Sequence, residues 1–102
     1  LPPASFYGPV QSGPGFAPVA GLAVTAWAEG QVCGQGSVRE IEGQLLYLVH
    51  VEASCASPGT TLRFQVGDHW MTTTTSWSAT GVTRLPLRAA HQLFLPLVWK
   101  TE

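Results

Sequence analysis

Apolar residues along this chain recur at every second position over short runs, and each run is closed by glycine, proline or small polar residues. The clearest case is residues 60–66, TTLRFQV, where Leu62, Phe64 and Val66 take one side and Arg63 and Gln65 the other. That is the period-two pattern of a half-buried strand. The strongest strand signal is residues 44–52, QLLYLVHVE, preceded by a turn at Glu42-Gly43-Gln44. Residues 22–29, between Gly21 and Gly30, predict another strand, and residues 31–41 a further one interrupted by Gly34 and Gly36. Turns are expected at Ser57-Pro58-Gly59 and at Gly67-Asp68-His69, followed by strands over 70–78 and 82–89 that Thr80-Gly81 separates. Helical spacing of apolar residues is not sustained in any window. Short strands at this spacing predict an all-β domain, a sandwich or a barrel.

The two ends depart from the pattern. Residues 1–21 hold five of the eight prolines, so only Phe6 to Val10 is expected to form a strand there. Residues 92–99, QLFLPLVW, are apolar on both faces: Leu93, Leu95, Leu97 and Trp99 alternate with Phe94 and Val98. Pro96 has no N–H to give to a ladder, so this segment is expected at a sheet edge. A two-sided apolar edge exposes both surface and backbone and invites pairing with another chain.

Composition narrows the partners. Charged residues are 11% of the chain, against about 25% in ordinary domains, and hydrophobic residues are 45%. With five Lys and Arg against six Asp and Glu, there is no basic patch for nucleic acid. No apolar run is long enough for a membrane-spanning helix. At 102 residues the chain is read as one domain. The opening Leu1-Pro2-Pro3-Ala4-Ser5 reads as the trimmed start of a mature secreted chain. In an oxidising compartment the only two cysteines, Cys33 and Cys55, are expected to pair across 22 residues. A reducing compartment would leave them as two buried thiols. Zinc needs four closely spaced ligands, which this sequence does not offer; no metal or cofactor is expected.

Candidate chemistry is sparse. His50, His69 and His91 are possible bases, but no nucleophile motif, zinc-protease motif or phosphate loop accompanies them. Glu40 and Glu42 share a predicted strand face, whereas glycosidase carboxylates come from separate elements across a cleft. The chain is therefore expected not to be an enzyme. The four tryptophans, Trp27, Trp70, Trp77 and Trp99, could form a platform that stacks on sugars. Against that, alternation places Trp27 and Trp77 in the core. Thr72 to Thr75 form either a glycosylatable surface array or a strand rich in β-branched residues.

An ordered set of short motifs carries a resemblance. Phe6-Tyr7-Gly8-Pro9-Val10 opens the set, followed by Val24-Thr25-Ala26-Trp27 with Gly30 and Cys33-Gly34, then Tyr47, Val49 and Val51. Cys55, Gly59, Leu62, Phe64, Val66 and Gly67 come next, then Trp77, Gly81, Val82, Thr83, Leu85 and Leu87. This series, covering residues 6–87, resembles small Ig-like or prealbumin-like modules of the Cna-B or carboxypeptidase-regulatory kind, found in secreted surface proteins of filamentous thermophilic bacteria. The tail Leu93-Phe94-Leu95-Pro96-Leu97-Val98 is similar to endings of such proteins. The resemblance implies a single Ig-like antiparallel β-sandwich of about seven strands plus an apolar C-terminal edge strand. It also implies an extracellular or cell-surface structural module without catalytic residues. The sequence has no Asn and one Lys, Lys100, so the Lys–Asn cross-link of some relatives of that module cannot form.

These readings set two functional expectations. The first is a structural protein whose partners are copies of itself, with residues 93–99 either completing a neighbour's sheet and building a filament or surface layer or folding back on their own sandwich. The second is an adhesive or carbohydrate-binding module whose partner is a surface polysaccharide.

Overall fold

The computed structural model describes residues 4–78 and 81–89. They form an all-β fold of eight strands: β1 (Ala4–Gln11), β2 (Ala23–Ala28), β3 (Gln31–Ile41), β4 (Gln44–Val51), β5 (Thr61–Val66), β6 (His69–Ser76), β7 (Val82–Arg84) and β8 (Leu87–Arg88). No helix among the described residues is long and apolar enough to cross a membrane. The strands make one curled sheet in the order β6-β5-β2-β3-β4-β1-β7, with β8 joined to β1. Two of its hairpins, β2–β3 and β3–β4, turn through Glu29-Gly30 and Glu42-Gly43, all four residues having positive φ. Both loops thus match the twist of their strands.

The sheet folds over along β3. Residues 31–37 of this strand pair with β2, and Val38 to Ile41 pair with β4. One layer is therefore β6-β5-β2 with the first part of β3; the other is the end of β3 with β4, β1 and β7. At the fold the inner side of β3 carries Gly34 and Gly36, and a Cβ on either would overlap the backbone carbonyl of His50 or Leu48 on β4. Only glycine lets the two backbones pass this closely. The core then fills from both inner faces. Phe64 of β5 meets Phe6 of β1 edge-on at 5.9 Å and Tyr47 of β4 at 6.4 Å. Val24, Val49, Val51, Leu62, Val66 and Leu87 complete it with no exposed surface.

A bulge closes the sheet. Gln65 of β5 pairs with Trp70, but Arg63 pairs with Thr74, so β6 spends two extra residues opposite Phe64. The bulge carries the middle of β6 over to β8, where Met71 bridges Ala89 and the Thr72 and Thr73 hydroxyls donate to the Arg88 and Pro86 carbonyls. The Thr72–Thr75 run is thus strand, with two of its hydroxyls spent on this closure.

Alternation located the strands well, with four differences. The predicted strand over 82–89 divides into β7 and β8 at Leu85-Pro86, because Pro86 cannot extend the ladder. Both pieces run parallel to β1, whereas all other paired strands are antiparallel. Glu42 lies in a turn at φ 52°, so it shares no strand face with Glu40. His69 opens β6 rather than closing the turn, and its Nε2 lies 3.2 Å from the Gly15 carbonyl. The expected C-terminal edge strand, with Leu93, Phe94, Leu95, Leu97, Val98 and Trp99, lies outside the described residues, as does His91.

Two outcomes are expected. Gly36→Ala should destabilise by about 3 kcal/mol, as overpacking against an immovable backbone does. Gly13→Ala, where the added carbon would meet only Ala89 at 3.6 Å, should cost far less; urea unfolding of both variants makes the comparison. The second concerns Tyr47, whose buried phenol donates to the Leu85 carbonyl and is pushed well above its ordinary pKa by burial. Folding favours the protonated phenol, so its contribution is intact below the unfolded value of 10.0 and is lost as pH rises above it. Urea midpoints across an alkaline series should fall in wild type, and fall less steeply in Tyr47→Phe.

Candidate functional site

The outer face of the first layer gathers two of the four tryptophans. In β2, Val24, Ala26 and Ala28 point inward, which turns Thr25 and Trp27 outward. Trp27 stands opposite Arg63 on β5, and Trp70 stands opposite Gln65 on the same strand. Trp27 and Trp70 therefore lie two strands apart on one face with Arg63 beside both. Their rings are 5.7 Å apart between centroids and inclined by 53°. The Arg63 guanidinium sits over the Trp70 ring, 4.7 Å from its centroid, a cation–π contact. Trp70 keeps 37% of its surface exposed, while Trp27 is half-buried.

Beside the indoles lies an open recess of about 520 Å³, whose walls include Trp27, Trp70, Arg63, Glu29, Thr60 and Thr61. The β2–β3 turn places Glu29 here, because the two-residue loop directs its first residue to the rim beside Trp27. The lining combines flat aromatic surface, guanidinium donors, a carboxylate acceptor and hydroxyls that do both. Trp27 Nε1 is buried and has no hydrogen-bond acceptor among the described residues. An unspent buried donor costs about 1–3 kcal/mol, which packing alone would avoid by using phenylalanine.

The other expected sites resolve differently. Trp77 cannot be part of a sugar platform: it is 1% exposed, and its Nε1 donates to the Val51 carbonyl inside the core. Trp99 and the assembly strand, Leu93, Phe94, Leu95, Leu97, Val98 and Trp99, lie outside the described residues. His50 faces Ser5 across β1 and β4, with Oγ and Nδ1 2.6 Å apart in hydrogen-bond contact. Ser5 is buried, at 8% exposure, and His50 is exposed; the pair ties β1 to β4. Arg63, Glu29, Thr60 and Thr61 were not foreseen as site residues. Their signal is pairing between β2 and β5, which are far apart in sequence and carry no local mark of it.

No protein-family model matches this chain, and no curated protein or solved structure matches it either. The site's own geometry is therefore the ground for a functional reading.

Cys33 and Cys55 form a disulfide, with Cα atoms 5.5 Å apart. A one-residue bulge makes this possible: Ala26 pairs with Gly34 but Trp27 with Val32, leaving Cys33 unpaired and turned toward the loop after β4. The bridge therefore pins the same stretch of β3 that folds over β4. Replacing both cysteines with serine should lower stability by about 3 kcal/mol, from the loop entropy returned to the unfolded chain. Chemical denaturation without reductant, beside a mass about 2 Da under that of the reduced chain, checks both bond and effect.

Proposed function

We propose that this domain is a non-enzymatic extracellular recognition module that binds polysaccharide through Trp27, Arg63 and Trp70. The observation that carries the reading is the pair of indoles on one outer face, one of them substantially exposed, beside a recess with polar groups of both hydrogen-bonding senses. Sugar rings present an apolar face to an aromatic ring and hydroxyls at their edge, so they need that combination. Arg63 and Glu29 carry opposite charges, which suits a neutral glycan better than an acidic one. The disulfide supports an oxidising, extracellular setting.

Self-assembly into a filament by strand exchange is the weaker reading. It rests on residues 93–99, outside the described part of the chain. The described sheet also offers little open edge: β6 is bridged at Met71 to Ala89, just past β8, and β7 is three residues long. Short edges resist augmentation.

Titration with cello-, xylo-, manno- and malto-oligosaccharides, followed by tryptophan fluorescence and calorimetry, tests the proposal. At least one series should bind wild type. Trp70→Ala should weaken that binding about tenfold or more, equivalent to about 1.4 kcal/mol, with little change in melting temperature. Absence of binding across all four series, or binding untouched by Trp70→Ala, would refute it.

A further inference from the structure

The second layer has an outer face of quite different character. Of the large hydrophobic side chains exposed among the described residues, Tyr7, Ile41, Leu48 and Val82 share this surface. Register puts them there: Tyr7 stands opposite Leu48, Pro9 opposite Leu46, and Leu46 in turn opposite Arg39. Val38 is buried, so Ser37, Arg39 and Ile41 take the outward side of β3. Between Tyr7, Ile41, Leu46 and Leu48 the face hollows into a groove of about 540 Å³, which Ser37 and Arg39 also line. Gly8 and Gly36 line it with backbone alone, so no side chain from either position fills the hollow. No residue of the lining carries a carboxylate, and the Arg39 guanidinium has no ion-pair partner among the described residues. The outer face of an antiparallel sheet is ordinarily polar; an apolar hollow with one converging charge is the ordinary form of a small-molecule site.

We infer that this groove binds a long-chain fatty acid, its alkyl chain laid over Tyr7, Ile41, Leu46 and Leu48 and its carboxylate held by Arg39. Charge, size and shape choose this ligand together. Arg39 lines the groove, Arg84 lines the recess that adjoins it across Tyr7 and Leu46, and neither lining has an acid. A second copy meeting this face about a two-fold axis would set its own arginines against these, with no carboxylate in the groove to receive them. An anion supplies the missing partner: a guanidinium takes a carboxylate through two parallel N–H bonds, and the Ser37 hydroxyl beside it is a further donor. The rest of the groove asks for hydrocarbon, since a bare carboxylate would leave Leu46, Leu48 and Ile41 in water. The hollow has the volume of a site for one small molecule, whereas a stable protein interface takes about 800 Å² per partner. It is also concave, so a flat bilayer would span it without filling it. The inference is independent of the glycan reading, which rests on the opposite layer.

Calorimetric titration of the full chain with laurate, kept below its micellar concentration at neutral pH, tests it. Wild type should bind one laurate saturably, and octanoate about tenfold more weakly or worse, because its shorter chain buries fewer methylenes. Arg39→Gln should weaken laurate about tenfold or more, through loss of the charge-assisted bonds. Arg84→Gln removes the same charge from the adjoining recess and should change the affinity less than about twofold, as an exposed neighbouring charge does. Leu48→Ala should also weaken binding, while Trp70→Ala should leave it unchanged. Arg39 is exposed and Leu48 half exposed, so these changes leave the core intact and every variant measurable. Dodecyltrimethylammonium, with the same chain length and a cationic head, should not bind. No saturable laurate binding, equal losses from Arg39→Gln and Arg84→Gln, or equal binding of the cationic amphiphile would overturn the inference. Binding to phosphatidylglycerol vesicles without binding of monomeric laurate would overturn it in favour of a membrane surface. A dimer in light scattering that Leu48→Ala abolishes and laurate does not would overturn it in favour of a second copy.

Discussion

The close passage of β3 over the backbone of β4 is the contact on which this architecture rests. Gly34 and Gly36 place bare backbone against the carbonyls of His50 and Leu48, so one strand can serve two layers. Without that approach the sheet would stay open, and Phe64 on one layer would not reach Phe6 and Tyr47 on the other. The disulfide acts at the same place, since the bulge that frees Cys33 is the residue immediately before Gly34. A small domain has little core to spare, and covalent pinning of its fold line adds stability where the geometry is least forgiving.

Folding the sheet also separates its two outer faces chemically. The first layer presents Trp27, Arg63, Gln65 and Trp70, a mixture of flat rings and polar groups. The second presents Tyr7, Ile41, Leu48 and Val82. One bulge in β6 contributes to both closure and site: it returns Trp70 to register with Gln65, and it swings the following residues toward β8. Trp27 Nε1 is buried without a hydrogen-bond acceptor among the described residues.

Much of this was legible in the chain itself. Leu62-Phe64-Val66 and Tyr47-Val49-Val51 are buried as their alternation predicts, and the Glu-Gly hairpins fall where the punctuation put them. Pairing across long sequence distances was not legible. Trp27 and Trp77 have similar local surroundings, yet one faces outward because Val24, Ala26 and Ala28 claim the inner side, and the other enters the core and donates to Val51. Gly34 and Gly36 read as interruptions of a strand; they are the residues that let the strand continue past its neighbour. The apolar outer face was hidden for a similar reason. Tyr7, Ile41, Leu48 and Val82 come from four strands, and each alone is an ordinary exposed hydrophobe.

The most direct test of the central claim, that the tryptophan face recognises neutral glycan, is a nitrogen–proton correlation spectrum recorded while a binding oligosaccharide is added. Tryptophan indole N–H groups give separate signals, so the four side chains report individually. The account predicts that the Trp27 and Trp70 signals move together and saturably, while Trp77, buried on the Val51 carbonyl, stays fixed. Movement confined to residues of the opposite layer, such as the amides of Tyr7 and Leu48, or no saturable movement at Trp70, would contradict it.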